Sequence, residues 1–70
     1  MKIKVIKVQY DFWGRTEQQI LKDDYIDLKV IPITGDIVVI DEERYRVIQR
    51  DIHMRKNVDN QYIILYVRKL

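Results

Sequence analysis

Pro32-Ile33-Thr34-Gly35-Asp36-Ile37-Val38-Val39-Ile40, then Asp41-Glu42-Glu43-Arg44 and Tyr45-Arg46-Val47, is the stretch on which the fold of this chain turns. Pro32 has no amide hydrogen to give to a sheet ladder, so it ends whatever strand precedes it. Gly35 permits a tight reversal, and Asp36 is a residue that turns favour. Ile37 to Ile40 is a short apolar run of strand length, closed by the acidic turn Asp41–Arg44. A second strand then runs from Arg44 to about Ile52. Tyr45 and Val47 lie on one parity; Arg44, Arg46 and Arg50 lie on the other, with Ile48 between them. Two strands separated by so few polar residues form a hairpin.

Working outward toward the carboxyl end, His53 to Asn60 is a polar connection. Gln61 to Lys69 follows, with Ile63, Leu65 and Val67 facing one way and Tyr62, Ile64 and Tyr66 the other. A strand apolar on both faces belongs at the centre of a sheet or across a barrel seam. Toward the amino end, alternation of Ile26, Leu28 and Val30 against Asp27 and Lys29 predicts a strand from Tyr25 onward, with one wet face. Residues 17–24 lack alternation; strand or irregular loop is the favoured reading, with a single helical turn as the other. Asp11 to Thr16 is turn-like, and Gly14 suits a reversal there. Residues 2–10 form the first strand. Its phase changes at Val5-Ile6, which implies either a bulge or burial on both faces.

Composition agrees with a β domain. Ile and Val supply twenty of the seventy residues, Ala is absent, and only four Leu occur. β-Branched side chains are stiff and suit a pleated surface. Seventy residues make one domain, residues 1–70, and bury only about 60% of the unfolded chain's surface. The fold expected is all-β: a single small five-stranded antiparallel meander with a long first connection, curled into an SH3-like open barrel. A flat sheet of this size would leave one apolar face bare.

The pattern Pro32-x-x-Gly35-Asp36-x-Val38 followed by Tyr45-Arg46-Val47 is similar to the opening of small Src-homology-3-like barrels, KOW-type modules among them. It also resembles short uncharacterised proteins of phages and mobile elements, over residues 25–69. The resemblance implies the barrel; it carries a turn signature rather than a chemical one, and small barrels host many functions. The glycines and lysines that mark ribosomal KOW proteins as RNA binders are missing here.

Several function classes are excluded by residue type. With no Cys and no Ser, a Cys or Ser triad and a thiolate metal site are impossible, and no disulfide can form. A secreted chain this short usually needs disulfide staples, so a reducing cytoplasm is expected. The amino end interleaves Lys with apolar residues, which is no signal peptide, and no apolar run reaches membrane-spanning length. The single histidine, His53, reads as an exposed loop residue. The carboxylate pairs Asp23-Asp24 and Glu42-Glu43 read as solvated turn residues, since neighbours on a strand point to opposite faces. No enzyme, cofactor or metal is expected.

Three surface features remain. Tyr10, Phe12, Trp13 and Arg15 around the first turn are residue types enriched at protein-binding hot spots; the alternative for Trp13 is that it caps one end of the barrel. Arg44, Arg46 and Arg50, extended by Arg55, Lys56 and Arg68, make a basic strand face that suits nucleic acid, with Tyr62 or Tyr66 near enough to stack on a base. Against it stand Asp41, Glu42, Glu43 and Asp51, and a net charge of only +2. Lys2, Lys4 and Lys7 read as protection of an outer strand's unpaired edge. A protein partner or self-association is therefore favoured over nucleic acid.

Overall fold

Alternating and β-branched segments of the chain do form strands, and no helix appears among the described residues. A computed structural model describes residues 2–10, 13–25, 31–57 and 60–70. Five strands make one curled, half-barrel sheet. They are β1 (Lys2–Tyr10), β2 (Thr16–Tyr25), β3 (Ile37–Ile40), β4 (Glu43–His53) and β5 (Tyr62–Lys69).

The topology differs from the expected antiparallel meander. The order across the sheet is β2-β1-β5-β4-β3. β1 pairs with β5 in parallel, from Lys2 opposite Tyr62 to Lys7 opposite Val67, while the other three pairings are antiparallel. The sheet is thus mixed: a β1–β2 hairpin sits side by side with a β3–β4–β5 meander. The two strands that are apolar on both faces, β1 and β5, occupy its middle, because only interior strands have both faces partly covered. A further correction concerns the second strand. It occupies Thr16–Tyr25, so the β1–β2 connection is short and the long one precedes β3. The strand expected over residues 26–30 lies outside the described residues.

Two irregularities steer side chains. Val5 lies opposite Lys22 but Ile6 lies opposite Ile20, so Leu21 is an extra residue on β2. Val47 lies opposite Val67 but Gln49 lies opposite Tyr66, so Ile48 is an extra residue on β4. Such bulges bend a strand and raise its twist. Of the two causes foreseen for the phase change at Val5-Ile6, burial on both faces is the one that holds. β1 runs in unbroken register with β5, and Ile6 is buried on the face opposite Ile3 and Val5, whereas the bulge falls on β2.

The core lies on the concave face. Ile3 and Val5 of β1, Tyr45 and Val47 of β4, and Ile63, Leu65 and Val67 of β5 are buried together, with Leu21, Ile31, Val38 and Ile40 packed against them. Full burial of one such side chain contributes about 1.5–3 kcal/mol. Among the described residues, none buried is charged.

The turn before β3 is built as its residues suggest. The Asp36 amide donates to the Ile33 carbonyl (3.0 Å), and Gly35 at the third position holds φ +97°. That geometry is a type II turn, which requires positive φ at its third residue. The Asp36 carboxylate in turn accepts the Ile33 amide at 2.9 Å.

Candidate functional site

Residues directly opposite one another across a sheet share a face, so the register assigns each candidate side chain to one side. On β4, Arg44 lies opposite Val39 and Arg46 lies opposite Ile37 and Arg68, all on the convex face. Past the Ile48 bulge the alternation inverts. Arg50 lies opposite the buried Leu65 and so stands on the concave face. The expected row Arg44, Arg46, Arg50 is therefore broken. Arg55 and Lys56 are exposed in the segment after β4, at the other end of the sheet. Of six basic candidates the fold gathers three: Arg44, Arg46 and Arg68.

Their surroundings are more favourable to anions than the sequence alone implies. Glu43 lies opposite Ile40 on the core face, where its carboxylate meets Lys69 at 3.5 Å. Asp51 is at the far end of β4, where it accepts a hydrogen bond from Gln49 at 2.9 Å. Asp41 and Glu42 stay close to Arg44 in the β3–β4 turn. Among the described residues, Arg44, Arg46 and Arg68 form an ion pair with no carboxylate.

The aromatic candidates separate in a similar way. Tyr10, at the end of β1, is 62% exposed on the convex face, with the Arg68 guanidinium 5.8 Å from its ring centroid. That contact joins the aromatic set to the basic set, which sequence distance kept apart. Trp13 is 76% exposed in the β1–β2 turn, too open to cap the core, so the capping alternative is overturned. Arg15 is exposed just before β2. Phe12 lies outside the described residues. Tyr66 lies opposite Gln49 and Ile6 on the same convex face, half-buried.

Two other expectations change. Lys2, Lys4 and Lys7 do not guard an edge, because β1 is interior. Lys2 instead pairs with Asp23 across the β1–β2 hairpin at 3.6 Å. His53 is the last residue of β4 rather than an exposed loop residue. It is half-buried and stacked on Tyr62 at 4.3 Å, 4° from parallel, with Nε2 buried and without a hydrogen-bond partner among the described residues. Arg55 stands over the same Tyr62 ring at 5.5 Å.

No family model matches the chain, and neither does any curated protein or solved structure. The reading of function therefore rests on geometry. Among the described residues no three His, Asp or Glu groups converge as a metal site would require, and no helix is long and apolar enough to cross a membrane. A concave trough of about 460 Å³ over Ile3, Val5 and Leu65 is flanked by Lys22 and by Val38–Ile40; its lining is mainly apolar.

The remaining feature is β2 itself, over residues whose sequence left strand, irregular loop and helical turn open. It forms one edge of the sheet, and nine of its ten residues are exposed. One side of its backbone therefore has no strand partner among the described residues over an unusual length, since edge strands in natural proteins are normally short or covered. Trp13 lies three residues before it.

Proposed function

We propose that this chain is a non-enzymatic protein-interaction and assembly module that takes an extended segment of a partner along the edge of β2, anchored by Trp13. The observation that carries this reading is the ten-residue open edge beside a largely exposed tryptophan. Strand addition obtains affinity from main-chain hydrogen bonds and specificity from flanking side chains. Tryptophan supplies a large desolvated contact with one polar handle. Glu17, Lys22, Asp23 and Asp24 along β2 set a charge pattern that a partner strand must complement, which disfavours indiscriminate pairing.

The curled five-stranded sheet is read as an open small barrel of the SH3-like kind. The Pro32-to-Asp36 turn and the β3–β4 hairpin support that reading. The absence of cysteine favours a reducing cytoplasm, and the resemblance of residues 25–69 favours a phage or mobile-element source.

The test compares wild type with Trp13→Ala by sedimentation velocity and by partner profile, with circular dichroism to confirm the fold. The expected result is loss of self-association or of the partner complex from a folded variant. Hydrogen exchange of the β2 amides should slow in the complex. Identical oligomer, partners and β2 exchange in the two proteins would overturn the proposal.

A further inference from the structure

We infer that Arg44, Arg46, Arg68 and Tyr10 form a second site on the convex face, one that binds single-stranded nucleic acid. This inference does not rest on the β2 edge. Its starting point is a cost in the fold: Arg46 stands directly opposite Arg68. Like charges in that position destabilise a sheet, and Arg44 adds a third charge two residues along the same face. No described carboxylate pairs with any of the three. An arrangement that costs stability and lacks a counter-ion among the described residues is relieved when a polyanion supplies the charge.

Tyr10 decides which polyanion. Its ring is mostly exposed beside Arg68. A ring beside one guanidinium of a basic face is the combination that holds a single strand, the phosphates on arginine and a base against the π-face. A duplex hides its base faces, and a convex sheet offers it no groove. An acidic peptide has the charge but nothing to gain from Tyr10.

The experiment follows the anisotropy of a labelled oligothymidylate and an oligouridylate of about a dozen nucleotides, with oligoglutamate as competitor. Both probes should bind at low salt. With three phosphate contacts on a single strand, affinity should fall about 20-fold between roughly 50 and 200 mM salt. Arg46→Glu should abolish the shift while raising the thermal midpoint, because it turns a repulsive cross-strand pair into an attractive one. That opposition separates binding from a merely structural role. Tyr10→Leu should weaken binding about tenfold through lost stacking. Arg50→Gln, on the concave face, should leave binding unchanged. Three results overturn the inference: no shift at low salt, Arg50→Gln as damaging as Arg46→Glu, or Tyr10→Leu without effect while oligoglutamate competes as well as the oligonucleotides. The last of these would assign the patch to an acidic protein instead.

Discussion

Asp41 and Glu42 join β3 to β4 in a two-residue turn, and both hold positive φ, 51° and 67°. Mirror-image turns of this kind match the right-handed twist of the flanking strands, which is why Asn-Gly and Asp-Gly dominate them. Aspartate tolerates the left-handed region; a glutamate there costs about 1–2 kcal/mol. Replacing Glu42 with Gly relieves that cost but adds freedom to the unfolded chain. Glu42→Gly is therefore expected to stabilise the fold by about 0.5–1 kcal/mol, read from the urea midpoint. A midpoint that stays put or drops would show that the turn carries no such strain. The position of this turn was legible from four consecutive polar residues, but its hand was not, because no glycine announced it. The opposite holds at Gly35, where the Pro32–Asp36 stretch displayed its turn openly.

The elements show where periodicity works and where it fails. β1, β3, β4 and β5 each have at least one face against the core, so burial stamps alternation onto their sequences. β2 is exposed on both faces except at Leu21, and Thr16–Tyr25 (TEQQILKDDY) accordingly shows none. Its strand state comes from hydrogen bonding to β1, a long-range fact that propensity does not carry. The bulges had the same effect on the basic row. Parity counted through Ile48 puts Arg50 with Arg44 and Arg46; parity counted around it does not. With Ile48 removed, Val47, Gln49 and Arg50 alternate without interruption between the concave and convex faces. Deletion of Ile48 is thus expected to keep the β4–β5 pairing and to cost no more than about 1.5 kcal/mol, whereas deletion of Leu21, which packs on the core, costs more. Circular dichroism with denaturant titration distinguishes the two. A collapsed fold on losing Ile48 would mean that this bulge, rather than the register around it, sets the curl.

For the molecule as a whole, stability depends on a thin layer. Seventy residues imply a folding free energy of roughly 4–10 kcal/mol, and the buried cluster numbers seven side chains among the described residues. Leu65 sits in the central strand, opposite Val5 on one side and Arg50 on the other. Leu65→Ala should remove about 3 kcal/mol, enough to leave a large unfolded fraction at 37 °C if the wild type lies near the lower bound. Thermal melting checks this; a shift of only a degree or two would mean that the cluster is not the principal core. The sequence by itself determined the β class, the turn before β3, the β3–β4 hairpin and the central place of β5. Each of these is written in local spacing, in turn residues, or in apolar residues on both faces. Only the tertiary structure decided the parallel β1–β5 pairing, the assignment of β2 to an open edge, the rotation of Arg50 to the concave face and the meeting of Tyr10 with Arg68. Those depend on which strands share hydrogen bonds and where one residue is left over. Pairing between segments some sixty residues apart is selected by the burial of the whole sheet, and no local pattern records it.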